Sequence, residues 1–258
     1  MKLSAKQFKK LSDLVYHECG INLHAGKEQL LQARLSKRLR KTGIKTIKEY
    51  LHFLETDERE LIHFLDAVST NHTFFFRESH HFEVLNPSHL HIWCAACSSG
   101  EEPFSVAIYC LEKGFRPSIL ATDISTNVLK IAERGIYSLE KAKTLPQPVL
   151  RKYFQKGRGK WEDNIRIKDG IRGMITFRRF NLVTDPPLNQ EFDVIFCRNV
   201  LIYFDNIVKE KVINRLFHQL KQGGYLIIGG AESLNSIRHP YKYVRPSIYR
   251  KTVPVAPG

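Results

Sequence analysis

The sequence predicts an α/β protein: a parallel sheet covered by helices on both faces, an all-helical N-terminal domain ahead of it, and a small antiparallel insertion within it. Three observations carry this prediction. Residues 1 to about 68 repeat apolar side chains at helical spacing and show no strand pattern. From about residue 90, short apolar runs alternate with helical stretches, the pattern of parallel strands joined by crossover helices. Between about 136 and 178 the alternation stops, and Gly157, Gly159, Gly170 and Gly173 punctuate short β-like pieces.

In the N-terminal part, Phe8, Leu11, Leu14 and Val15 share one helical stripe, Leu31, Leu35 and Leu39 a second, and Leu61, Phe64, Leu65 and Val68 a third. Gly20, Gly26 and Gly43 break the helices. Further on, the spacing predicts strands at Leu90 to Ala95, Ser118 to Thr122, Phe192 to Cys197 and Tyr225 to Ile228. Helices are expected at Phe104 to Glu112, Val128 to Arg134 and Val208 to Leu220. Within the insertion, Asn164 to Lys168 and Met174 to Arg178 read as strands, and Tyr241 to Val244 with Ser247 to Lys251 read as a hairpin about Arg245-Pro246.

A chain of 258 residues, 43% hydrophobic, can bury a large core with a small companion domain. Its apolar runs fall far short of the roughly 20 residues that span a bilayer, and the residues after Met1 carry no apolar signal, so a soluble cytoplasmic protein without an integral membrane segment is expected. Five cysteines, an odd number, make no disulfide framework. The net charge of +14 favours a polyanionic partner or an acidic protein surface. The excess is concentrated: residues 1–50 hold twelve Lys/Arg against four Asp/Glu, and residues 141–180 hold twelve against three. At about 100° per residue, Lys27, Arg34, Lys37, Arg38 and Lys41 share one helix face beside the leucine stripe, without an anion among them.

The first predicted strand runs into Cys94-Ala95-Ala96-Cys97-Ser98-Ser99-Gly100-Glu101-Glu102-Pro103, a small-residue turn opening a helix. Such a turn is where an α/β sheet takes a nucleotide-like ligand. It has one glycine where a dinucleotide fingerprint has three, and Glu101 and Glu102 stand where a phosphate would need a helix N-terminus. A cationic, phosphate-free nucleoside such as S-adenosylmethionine fits better. Asp123 ends the second strand, 23 residues after Gly100, placed to accept from ribose hydroxyls, or else to cap the helix that starts near Ser125. The third strand ends in Arg198-Asn199 with Tyr203 close behind, donors suited to a carboxylate or carbonyl. The amine-gripping Pro-Pro-aromatic motif is missing there, and Asp185-Pro186-Pro187-Leu188 reads as a turn ahead of that strand.

Taken together, Asn71-x-Thr73-x-Phe75-Phe76-Arg77-Glu78, Ser99 to Ser105, Thr122-Asp123-Ile124, Asn181-Leu182 and Phe196 to Phe204 resemble the CheR-type chemotaxis receptor methyltransferases. Gly20-Ile21-x-Leu23, Lys27, Arg34-Leu35-x-x-Arg38-Leu39 and Glu49-Tyr50-Leu51 are similar to that family's N-terminal helical domain. The resemblance implies a Rossmann-like class I methyltransferase sheet over 90–258 with a β-subdomain at about 140–178, a helical acceptor-recognition domain over 1–69, and a linker over 70–89 that contributes to the cofactor site. It implies S-adenosylmethionine as donor and S-adenosylhomocysteine as product. It also implies Asn71, Thr73, Arg77, Glu101, Asp123, Asn181, Leu182, Arg198 and Asn199 as cofactor contacts, with Arg77 and Tyr203 at the methyl-transfer centre. Arg34, Lys37, Arg38 and Lys41 would hold the receptor helices, and the β-subdomain could dock a receptor's C-terminal tail. Where the family reads Gly-His-Ser-Glu, this chain has Gly229-Gly230-Ala231-Glu232.

The acceptor expected is a glutamate carboxylate, already ionised at neutral pH, so it needs alignment and a dry site and no general base. A nucleic-acid methyltransferase would want a Pro-Pro-aromatic motif, a Pro-Cys nucleophile, or aromatics interleaved with cations, and none is clear, so no nucleic-acid partner is expected. A non-catalytic cofactor sensor is countered by the intact pair Arg77 and Tyr203. Cys94-x-x-Cys97 lacks a second ligand pair and His80-His81 a third ligand, so neither predicts a metal.

Overall fold

The computed structural model describes residues 3–24, 26–89 and 91–252. Four helices come first: α1 (Ala5–Cys19), α2 (Glu28–Thr42), α3 (Ile47–Thr56) and α4 (Glu58–Val68). Leu11, Val15 and Cys19 of α1, Leu31, Leu35 and Leu39 of α2, and Phe64, Leu65 and Val68 of α4 close one core with Tyr50 of α3. The i, i+4 spacing forms that core because side chains four apart stand on one face of a helix.

After a short 3₁₀ helix (Ser79–Val84) come β1 (His91–Ala95), α5 (Glu101–Glu112), β2 (Ser118–Asp123) and α6 (Thr126–Arg134). Leu90, where the first strand was expected to begin, lies outside the described residues. Next are β3 (Ile136–Ser138), α7 (Gln147–Tyr153), β4 (Phe154–Lys156), β5 (Asn164–Ile167), α8 (Asp169–Arg172) and β6 (Ile175–Arg179). The chain ends through β7 (Phe192–Cys197), α9 (Asn206–His218), β8 (Leu220–Ile228), β9 (Lys242–Arg245) and β10 (Ile248–Arg250).

Seven strands form the main sheet in the order β6-β2-β1-β7-β8-β10-β9. The first five run parallel, while β10 lies antiparallel to β8 and to β9. Alternate residues serve opposite faces. Ile92 and Cys94 of β1 meet α5 on one face, and Trp93 and Ala95 meet the core completed by α9 on the other. Strand order reverses between β1 and β7, so a crevice opens at their carboxyl ends.

Two elements differ from the sequence expectation. The strand expected at Met174 to Arg178 does not belong to the antiparallel insertion. It is β6, the parallel edge strand of the main sheet, pairing Ile175 with Ile119 and Arg179 with Asp123. The small antiparallel sheet is β3-β5-β4 alone. The strand expected from Tyr225 begins at Leu220, because Phe192 pairs with Leu220 and Val194 with Tyr225, a bulge that absorbs the glycine pair Gly223-Gly224.

The helical domain is fastened to the sheet. Tyr16 Oη donates to Asp205 at 2.8 Å, Asn181 Nδ2 donates to the Glu18 carbonyl at 2.7 Å, and Asn22 N donates to the Tyr203 carbonyl at 2.9 Å. Asp66 of α4 accepts from Thr126 N at 3.0 Å, from Thr126 Oγ1 at 2.9 Å and from Asn127 Nδ2 at 2.7 Å. A carboxylate there meets the positive end of α6, the helix that follows β2. No helix among the described residues is long and apolar enough to cross a membrane.

Candidate active site

The crevice at the switch point is a cleft with about 970 Å³ of empty space, its open mouth included. Four strand ends build it. After β1 the chain turns through Ala96, Ser98 and Gly100, all at positive φ. Gly100 is demanded there twice over: its φ is +93°, and a Cβ would lie 2.8 Å from Ala132 Cβ and 3.0 Å from the Tyr137 hydroxyl. Asp123 ends β2 and is buried, and its two carboxylate oxygens accept from Ser98 N and Ser125 N, each at 2.9 Å. Burial pushes its carboxyl up, against the pull of those N–H groups. Asp123 therefore braces the β1 turn as well as lining the cleft, while Ser125 is the residue that caps α6.

Asn71, Thr73, Arg77, Asp123, Asn181, Leu182, Arg198, Asn199 and Tyr203 all line the cleft, so the structure brings together nine of the ten residues singled out for it. Glu101 is the exception. It is fully buried, ion-paired with Lys141 and accepts from Ser99 Oγ at 2.7 Å, on the side facing the small sheet. Its neighbour Glu102 faces the cleft instead. Burial pushes the Glu102 carboxyl up, although Arg198 pulls the other way.

Arg198 is committed. Its Nη1 donates to Glu102 at 3.0 Å, and its Nη2 donates to the Arg77 carbonyl at 2.5 Å and to Glu78 at 3.1 Å. The expectation that Arg198 offers donors at the reacting end is thus narrowed to its Nε, which is buried without a partner among the described residues, while both Nη groups are held by the framework. Burial would raise the Glu78 carboxyl, but the Gly230 N–H and Arg198 outweigh it and hold it low. Arg77 is less committed: Nη1 donates to the His72 carbonyl at 3.1 Å and the guanidinium lies 5.7 Å from the Phe74 ring centre. Among the described residues the Tyr203 hydroxyl has no hydrogen-bond partner. His72 also lines the cleft, and among the described residues it has no carboxylate within ion-pair distance.

Sequence reasoning missed the wall supplied by the helical domain, where Cys19, Ile21 and Ser69 line the cleft. The signal available was the glycine break at Gly20, which ends α1 beside the sheet. All five cysteines are buried and free. Burial pushes the thiols of Cys19 and Cys110 up to about 12, and those of Cys94, Cys97 and Cys197 well above their usual range. Among the described residues, no group of three or more His, Cys, Asp or Glu side chains is placed to hold a metal.

The basic stripe is also revised. Lys27, Lys37 and Lys41 are exposed and Arg34 is half-buried, but Arg38 turns into the helical core. Its Nε and Nη2 donate to the two oxygens of Glu60 at 2.9 and 2.5 Å, and Tyr50 donates to the same carboxylate. Arg38 is therefore unavailable to an acceptor. The small sheet β3-β5-β4 carries its own cleft, lined by Lys156, Arg158, Trp161 and Arg166 among others. Tyr137 at its root donates to the Ser99 carbonyl at 2.7 Å, joining that sheet to the β1 turn.

Five parallel strands, an antiparallel edge hairpin and a cleft at the strand ends bordered by carboxylates define a class I, S-adenosylmethionine-dependent methyltransferase. The family model for the CheR methyltransferase SAM-binding domain matches residues 71–249, and that for the CheR methyltransferase all-alpha domain matches residues 6–69. A chemotaxis protein methyltransferase of Borreliella burgdorferi is 36% identical, covering 97% of this chain and 96% of its own. Those of Klebsiella aerogenes and Escherichia coli are 36% and 34% identical, over 98% and 96% of this chain and 91% and 92% of theirs. The chain belongs to the CheR methyltransferase family.

The cleft suits the family's cofactor. Glu102 and Asp123 present carboxylates and the loop after β1 offers no glycine-rich phosphate cradle, a donor set for a ligand that carries positive charge and a ribose.

Proposed function

We propose that this chain methylates glutamate side chains on the cytoplasmic helices of chemotaxis receptors, giving glutamyl methyl esters, and that it does so in the cytoplasm. When bound, S-adenosylmethionine supplies an electrophilic methyl group. Asp123, Asn71, Asn181 and Asn199 hold it, with Thr73, Leu182 and Arg198 completing the pocket and Glu102 taking the place first given to Glu101. The observation that carries the choice of acceptor is the pair of donors on the cleft wall, the unpartnered Tyr203 hydroxyl and the Arg77 guanidinium, held only by the His72 carbonyl and, at 4.0 Å, by Glu78. A carboxylate arrives ionised, so the chain needs donors to orient it and no base to deprotonate it. Water exclusion falls to the apolar lining residues Phe74, Ile21 and Leu182.

The acceptor helix, rich in carboxylates, docks on the cationic face of α2 through Arg34, Lys37 and Lys41. A receptor tail docks at the cleft of the small sheet, where Trp161 offers an aromatic anchor among cations.

Incubation with a radiolabelled methyl donor and receptor-bearing membranes tests this proposal. Mild alkali should release the label as volatile methanol, because hydroxide cleaves esters and leaves N-methyl groups attached. Tyr203→Phe should slow labelling about tenfold or more, the worth of a hydrogen bond to a charged group, with far less effect on S-adenosylhomocysteine affinity. Base-stable label on lysine, arginine or RNA would overturn the proposal.

A further inference from the structure

Beyond β7 the chain turns through Arg198, Asn199 and Val200 into a single 3₁₀ turn, Leu201–Tyr203. Four cleft residues, Arg198, Asn199, Val200 and Tyr203, ride on these six positions. Within the turn Tyr203 N donates to the Val200 carbonyl and Phe204 N to the Leu201 carbonyl, each at 3.1 Å, which leaves the N–H groups ahead of them to be met from outside. Asn199 stands at φ +58°, a left-handed conformation that asparagine tolerates better than most residues with a Cβ. The opening N–H groups of a helical turn have no partner within it.

The missing partner comes from the loop after β8. Glu232 does not line the cleft, yet its carboxylate accepts three backbone N–H groups from two loops. Oε2 takes Asn199 N at 2.9 Å and Gly229 N at 2.6 Å, and Oε1 takes Ile202 N at 3.2 Å. Glu232 N donates back to the Gly229 carbonyl at 2.9 Å, which closes the turn that carries the carboxylate. Gly229 admits no side chain: a Cβ would lie 2.4 Å from Asn199 Nδ2 and 2.9 Å from Glu232 Oε2. The next N–H, of Gly230, goes the other way, to Glu78 at 3.0 Å, and Glu78 is the carboxylate that grips Arg198. Two neighbouring N–H groups thus meet two carboxylates, one holding the Arg198 side chain and the other the Asn199 backbone.

We infer that Glu232 is a positioning residue for methyl transfer, acting through the backbone of Asn199 and Ile202 to fix the turn that presents Asn199 and Tyr203 to the cleft. This rests on the reading of that cleft as the methyl-transfer site. A glutamine at 232 keeps the volume but has one acceptor oxygen, and its amide nitrogen would face N–H donors.

The experiment uses the full chain, with melting followed by circular dichroism, S-adenosylhomocysteine affinity by calorimetry, and kcat and KM for receptor membranes. Glu232→Gln, assayed where it is fully folded, should lose at least tenfold in kcat and bind S-adenosylhomocysteine several-fold more weakly. Its KM for membranes should stay within about twofold, since the α2 face is untouched. Gly229→Ala, which presses on Asn199 from the same turn, should reproduce the loss in kcat. The double variant should lose no more than the worse single one, because both act through one loop. A lowered melting temperature with unchanged kcat per folded molecule would make Glu232 merely structural and sink the inference, as would multiplicative losses in the double variant. If Glu232→Gln fails to fold, Gly229→Ala decides alone, and unchanged kcat there overturns the role. Failure of the parent chain to bind S-adenosylhomocysteine would instead refute the reading of the cleft.

Discussion

Arg38 shows how one charge can be read onto the wrong side of a helix. It falls among the cations of α2 by spacing, yet it follows Leu31 by seven residues, which is about 20° around the helix from that buried leucine. Its inward turn was legible in that arithmetic, but its partner was not: Glu60 lies 22 residues on, in another helix. Glu101 and Glu102 pose the same problem at the cofactor turn. Two adjacent glutamates look alike in sequence, and their partners tell them apart: Lys141, from the 3₁₀ turn after β3, pairs with Glu101, and Arg198 pairs with Glu102 on the cleft side. For Arg38 the consequence is energetic. Arg38→Ala leaves Glu60 buried with Tyr50 for company, and breaking a buried pair from one side costs about 3–5 kcal/mol. Urea unfolding should report that loss, whereas Arg34→Ala should stay within about 0.5 kcal/mol of the parent. Equal effects from the two substitutions would mean the ion pair carries no stability.

At the scale of elements, α2 divides its labour. One face closes the helical core, and the other cations of the stripe, Lys27, Arg34, Lys37 and Lys41, have no carboxylate within ion-pair distance among the described residues. An acidic acceptor on that face would be drawn by a field that salt screens over about 8–10 Å. Arg34→Glu combined with Lys37→Glu should cut receptor methylation at least tenfold and flatten its dependence on salt, with S-adenosylhomocysteine affinity unchanged. Loss of cofactor affinity in that variant would place the face in the catalytic fold rather than at an acceptor. Most strands were legible because parallel strands buried on both faces read as continuous apolar runs. Where they were misread, long-range pairing decided. Met174 to Arg178 has the look of any short β piece, and only its register against β2 assigns it to the main sheet. The glycines before Tyr225 signal a turn by composition, but β7 draws them into β8 as a bulge.

In the whole molecule, the two domains share the cleft. Cys19, Ile21 and Ser69 form part of its wall, and the bonds that hold them over the sheet join residues as far apart as Tyr16 and Asp205. No periodicity announces such contacts, so the sequence showed two domains and the residues of each without showing that one completes the other. Asp66 tests this joint, since it lies outside the lining but ties α4 to α6. Asp66→Ala should weaken S-adenosylhomocysteine binding several-fold by calorimetry, and unchanged affinity would show that the helical domain is seated without it. The burial of every cysteine has a different kind of consequence. A thiol held at about 12 is ionised in roughly one molecule in 10⁵ at neutral pH, and the thiolate is the species that peroxide and alkylating reagents attack. In the native fold these two thiols should therefore react slowly with such reagents. A single cysteine installed at exposed Lys37 or Lys41 would then be the most accessible thiol, a ready anchor for a fluorophore or spin label on that face of α2.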